Sequence, residues 1–227
     1  MPSSLTRYLD LLDQQREAIF DELGPLPDAV LWYRPGQKVW SIGEHLDHTR
    51  VLSCAVRRLL IVYFPLASIF ARLFRHRSYE TDIDDVYKRP GFPMNMGWTS
   101  PPKYTPRRPV SVGFLHEALR AEHAACRHSY TTRDERLLGH VVIADPVALG
   151  VKGNFFGVVN LVQWLRIQAY HDAHHYERVR VRIKDPEYAS RAAAAEQKGI
   201  ININKAEPSA ADVTMNVNPR LADDGAV

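Results

Sequence analysis

An all-α fold is what this sequence predicts, on three observations. Four segments repeat apolar residues at three- and four-residue spacing. Their ends carry helix punctuation: capping boxes at "SIGE" and "NLVQ", and a Gly24-Pro25 stop. No segment shows convincing strand alternation. The 227 residues are 45% hydrophobic and 24% charged, which is ordinary globular composition and suits one domain with a tail.

The first periodic segment is "SSLTRYLDLLDQQREAIFDELG". Leu5, Leu9, Leu12, Ile19 and Leu23 form its apolar stripe, and Gly24 and Pro25 end it. A Pro- and Gly-rich connection follows. The second helix starts at Ser41, where the hydroxyl is placed to accept from the Glu44 amide and the carboxylate to reach back. Its buried face is Ile42, Leu46, Leu52, Val56, Leu59 and Leu60. It runs on toward "IVYFPLASIFARLF", where Pro65 is expected to kink or end it.

That apolar run of about 16 residues lies between Arg57/Arg58 and Arg75/Arg77. It is too short and interrupted for a membrane span. A contact with one membrane face stays open. Residues 76–110 read as a Pro-rich loop, long enough to suggest a lid or binding role.

The third helix starts near Ser111, with His116, Leu119, His123, Cys126 and Tyr130 on one stripe. Residues 132–157 are turn-rich. The fourth helix is "NLVQWLRIQAYHDAHHYERVRVRI", with Asn160 and Gln163 as a second capping box and Pro186 beyond its end. Four such helices imply a four-helix bundle over residues 1–184. The long third connection leaves a simple up-down arrangement unguaranteed. Residues 185–227 read as a flexible C-terminal tail, with a helical turn or two at "AAAAEQ".

Charge and cysteine content bound the function. The net charge of +3 is uneven, and residues 57–108 hold the basic excess. A patch this modest is usually a solvated face, and no nucleic-acid-binding motif accompanies it. Cys54 and Cys126 lie far apart in helical patterns and suggest core residues rather than a disulfide framework. With no apolar leader in "MPSSLTRYLDLLDQQ", a reducing cytoplasm is the expected compartment.

The chemistry gathers in "QAYHDAHHYERV", residues 168–179. Three of ten histidines stand there: His171, His174 and His175. On a helix His171 and His175 project together and can grip one divalent ion. His171/His174 is an alternative pair, and the three cannot all aim equally at one ion. A metal in a helix core needs a ligand from a facing helix. The second helix offers His45 and His48, the third His116 and His123. Periodicity does not choose among them.

The segment "WSIGEHLDH", with Trp40, Ser41, Glu44 and His48, together with the late "HDAHH", resembles the paired signatures of the DinB-like superfamily. Those are four-helix-bundle metalloenzymes, and the similarity covers residues 1–184. The Pro-rich stretch at 76–110 is longer than that pattern leads one to expect.

The resemblance implies three metal ligands: His48, His171 and His175. It leaves His45 as an interior polar residue and makes a separate site at His116, His123 and Cys126 unexpected. It further implies a divalent ion (zinc, nickel or iron) with open coordination positions and a small-molecule substrate. A low-molecular-weight thiol is an expected co-substrate.

Glu44, Asp47 and Asp172 are the nearby carboxylates in sequence, and none is an evident general base; Asp172 is expected to point away from the His171/His175 face. The expected activity is therefore metal-dependent thiol S-transfer. Metal-dependent hydrolysis and a non-catalytic metal-binding or structural bundle are the alternatives. No nucleic-acid partner is expected, and homodimerisation is left open.

Overall fold

The computed structural model describes residues 3–36, 39–88, 110–144 and 157–199. The elements run α1 (Ser4–Leu23), α2 (Asp28–Trp32), α3 (Ile42–Ala71), a 3-10 turn (Val86–Lys88), α4 (Val112–Thr131), α5 (Glu135–Leu138), β1 (Val142–Ala144), β2 (Val158–Asn160), α6 (Leu161–Ile183) and α7 (Tyr188–Gln197). The fold is all-α, with one two-stranded antiparallel pairing among the described residues, β1 with β2, which sets Ile143 opposite Val159.

Local chemistry sets the helix ends. The Ser41 hydroxyl accepts from the Glu44 amide at 3.1 Å, and Glu44 Oε2 accepts from the Ser41 amide at 2.8 Å. Asn160 Oδ1 accepts from the Val162 and Gln163 amides, and Gln163 Oε1 accepts from the Asn160 amide. Both expected capping boxes are present. Gly24 ends α1 with φ 53°, a conformation a side chain would strain. Pro65 does not end α3, which continues six residues further. Ser68 and Ala71 anchor that stretch by burying one side of it.

The four long helices pack in a ring, α1 and α3 each lying between α4 and α6. Two separate apolar clusters fill the interior. One holds Leu5, Leu9 and Leu12 of α1, Val56 and Leu60 of α3, Cys126 and Tyr130 of α4, and Trp164 and Leu165 of α6. The other holds Ile19 and Leu23 of α1, Ile42 and Leu46 of α3, Leu115 and Leu119 of α4, and Tyr176 and Val179 of α6. So α1 and α6 run from the first cluster to the second, and α3 and α4 run back.

This direction explains the long connection before α4. Two parallel neighbours need a chain that returns along the whole molecule. Val86 and Tyr87 lie on that return, with Val86 buried in the first cluster. Residues 89–109, most of the expected loop, lie outside the described residues.

Two expectations are corrected. The turn-rich stretch at 132–157 contains α5 and β1, which pairs with β2 just beyond it, held because Leu138, Val141, Ile143 and Val159 are buried. The expected tail from 185 opens instead with α7, whose Tyr188 and Ala192 pack on the second cluster. The Tyr188 hydroxyl donates to the Tyr33 carbonyl at 2.6 Å. Ten residues with four consecutive alanines form a helix once a tyrosine anchors them. Residues 200–227 lie outside the described residues.

Candidate metal centre

Between the two apolar clusters every long helix turns polar inside. α1 contributes Arg16, α3 contributes His45, Asp47, His48, Thr49 and Ser53, α4 contributes Glu122 and His123, and α6 contributes Gln168, His171 and Asp172, all buried. Buried polar groups cost stability unless they find partners, so a whole layer of them marks a site rather than packing. The layer is partly self-satisfied. Gln168 Nε2 donates to Ser53 Oγ at 2.6 Å, and Arg57 pairs with Glu122.

His48, His171 and His175 converge there. Each offers one ligand atom, and these atoms lie within 4.8 Å of one another. His48 Nε2 and His171 Nε2 are 3.0 Å apart. Burial, then the His174 charge, pushes the His171 imidazole down to about 3. Burial and the neighbouring histidines hold His175 well below its ordinary value. Both rings are therefore neutral at pH 7, the form that donates to a metal.

The model of the DinB superfamily matches residues 11–179. This chain belongs to the DinB superfamily. No curated protein and no solved structure matches it. The match spans α1 to α6 and takes in all three converging histidines of this DinB superfamily member.

The other histidines divide cleanly. His45 Nδ1 lies 2.8 Å from His175 Nδ1, so it braces a converging ring from outside. Burial, then Arg182, holds its imidazole down to about 2. His174 faces the other way and stacks on Tyr87, centroids 4.9 Å apart and 16° between planes. His116 stacks on Phe20 and contacts Glu17 at 2.8 Å, away from the layer's centre.

Asp172 corrects the sequence reading. It does project off the shared His171/His175 face, yet its Oδ1 lies 2.9 Å from His171 Nδ1. An acceptor there keeps the proton on Nδ1 and leaves the Nε2 lone pair facing His48, as metal-binding histidines require. Asp172 is fully enclosed, and burial pushes its carboxyl up to about 7 while His123 pulls it down. His123 Nε2 is 3.8 Å from Asp172 Oδ2, and His123 Nδ1 is 3.7 Å from Asp13 Oδ1. Adjacent residues on one helix touch here because a short carboxylate can curl toward its neighbour's ring.

Trp40 and Tyr87 also close on the site. The Trp40 ring stacks on His175, centroids 5.8 Å apart and 13° between planes, and meets His48 edge-on at 5.1 Å. Tyr87 meets His171 at 6.1 Å. Sequence reasoning placed Trp40 in a signature without a role and missed Tyr87, whose segment carried no periodicity.

Each remaining carboxylate holds a partner on at least one oxygen, though the buried Asp47 Oδ2 has none. Glu44 caps α3 and pairs with Arg34. Asp47 Oδ1 accepts from Arg50 Nε at 2.8 Å.

Proposed function

We propose that His48, His171 and His175 hold one divalent ion, and that the chain uses it to transfer a low-molecular-weight thiol to an electrophilic small molecule. The donor set suits zinc, nickel or iron, since neutral imidazole serves all three. Three protein ligands leave open positions, the pattern of a reactive rather than a sealed site. When bound, such an ion supplies Lewis acidity and favours the thiolate form of a coordinated thiol.

The observation that carries the choice of reaction is that each nearby carboxylate already holds a partner on one oxygen. Water attack calls for a general base within hydrogen-bond reach. Glu44, Asp47 and Asp172 are committed to a cap, to Arg50 and to His171. A thiol needs no such base, because its proton is acidic enough to leave to solvent. The thiol sulfur forms the new bond, and the leaving group departs with the electrons of the bond that breaks. In this reading Asp172 and His45 orient the ligand rings, while Trp40 and Tyr87 wall the pocket against water.

Metal analysis is the first test. The purified protein is expected to carry about one divalent ion per chain. His48→Ala, His171→Ala and His175→Ala each lower occupancy, whereas His45→Ala retains most of it. Full occupancy in His48→Ala with loss in His45→Ala overturns the ligand set. Electrophile consumption is then expected to require both ion and thiol. Thiol-independent ester or amide cleavage indicates hydrolysis instead, and a metal-loaded protein inert in both assays indicates a binding role.

A further inference from the structure

The longest helix overhangs the fold. α3 has 30 residues against 20 in α4, which is about 45 Å against about 30 Å at 1.5 Å per residue. Its C-terminal half packs on one side only. On the other side Val62 is 72% exposed, Leu66 69%, Ile69 58% and Phe70 71%, and Leu73 in the next turn is 76% exposed. The spacing of three and four puts them on one stripe. The stripe extends sideways through Tyr63, whose hydroxyl donates to the Val142 carbonyl at 2.8 Å, to the exposed Val142 and Val158 of the hairpin. Contiguous apolar surface of this kind marks a docking face.

The charge around it identifies the occupant. Arg58 stands at one end of the stripe, and Arg72, Arg75 and Arg77 at the other, all exposed. None of the four makes an ion pair with a carboxylate among the described residues, whereas Arg50 and Arg57 do. Arg77 lies over the Phe74 ring at 5.1 Å. Between Asp47 and Glu80 the chain holds no acidic residue at all. A second copy laid on this face, in either direction, would set arginine against arginine. A sheet of anionic lipid headgroups meets both the apolar stripe and its basic ends.

We infer that the C-terminal half of α3 docks this protein on the surface of an anionic bilayer, with the apolar stripe seated among the acyl chains. The helix lies on the membrane and does not cross it. By length and composition alone Ile42–Ala71 is long and apolar enough to cross a membrane. Its first half, however, carries the buried Glu44, His45, Asp47 and His48. The apolar stretch from Leu59 to Phe74 reaches only about 24 Å against about 30 Å of hydrocarbon.

Co-sedimentation of the full chain with vesicles tests this. Vesicles of phosphatidylcholine and phosphatidylglycerol are expected to carry the protein down, and those of phosphatidylcholine alone are not. Raising salt weakens the binding. Each arginine neutralised lowers the partition coefficient about fivefold, so the Arg72→Gln, Arg75→Gln, Arg77→Gln triple variant loses about a hundredfold. Leu66→Glu with Phe70→Glu abolishes binding while leaving metal content and helical circular dichroism unchanged. No preference for the anionic vesicles overturns the inference. So does a solution mass of twice the chain that the Leu66→Glu, Phe70→Glu variant halves, which assigns the face to a second copy. Should either variant fail to fold, the unmodified protein's preference between the two vesicle types still decides.

Discussion

Replacing Asp172 by Asn separates metal binding from stability, because the two should move in opposite directions. Asp172 is 0% exposed, its Oδ1 lies 2.9 Å from His171 Nδ1, and its Oδ2 has only His123 at 3.8 Å. The carboxylate holds the His171 proton on Nδ1. An asparagine can present its amide hydrogens there instead, which drives the proton to Nε2 and blocks the lone pair. Loss of such a partner typically costs 10–100-fold in metal affinity, or about 1.4–2.7 kcal/mol.

Stability responds to another quantity. Burial disfavours the ionised carboxylate, as its rise to about 7 shows. Asparagine carries no charge to desolvate, so at pH 8 the metal-free protein is expected to gain on the order of 1–4 kcal/mol. Affinity is read by competition with a chromophoric chelator, stability by urea unfolding of the chelated protein. Unchanged affinity would refute the assignment of Asp172 to His171. A parallel fall in affinity and stability would show that Asp172 serves only the packing.

Three further outcomes are expected. Gly43→Ala sets a Cβ 2.9 Å from the Trp32 ring, which is pinned by its Nε1–H donating to the Val110 carbonyl at 2.8 Å; the urea midpoint should fall by an equivalent of about 1–3 kcal/mol, and a wild-type midpoint would show that the ring yields freely. Burial, then Glu122, pushes the Cys126 thiol up to about 12, so at pH 8 its alkylation in the folded protein should run on the order of a thousandfold slower than in urea. The metal-free protein should lose stability as pH falls from about 6.5 toward about 3. In that window the unfolded chain protonates His45, His171, His174 and His175, whose folded values are depressed, while Asp47 and Asp172, whose folded values are raised, work the other way. Four protons against two leave a slope on the order of 2.7 kcal/mol per pH unit, steepened toward the acid end by Asp13, Glu17 and Glu22, whose folded values are lowered, and stability rising on acidification would contradict it.

The histidine and acidic sides of the layer also show why the sequence was readable only in part. Helical period puts His171 and His175 on one face but leaves His171/His174 as an alternative, because residues three and four apart both neighbour each other. Ser41/Glu44 and Asn160/Gln163 announced two helix starts, because a cap is a contact among residues three apart. His48 against His45 was not decidable this way. Both lie inside the fold, 8% and 7% exposed, on neighbouring faces of α3. Only the approach of α6 brings His48 to His171 and leaves His45 beside His175.

By itself, then, the sequence determined the all-α class, the helix starts at Ser41 and Asn160, the histidine cluster and the DinB-like signatures, since all of these are short-range patterns. The tertiary structure decided what depends on which surfaces meet. It set the parallel run of α3 and α4, which makes the long return past Val86 and Tyr87 necessary. It turned Asp172 toward His171, walled the site with Trp40 and Tyr87, and anchored α7 through Tyr188. It also left one face of α3 bare, because a 30-residue helix outruns the partners that cover its other side. Apolar periodicity reports that a residue can be buried; whether it is buried depends on what lies opposite.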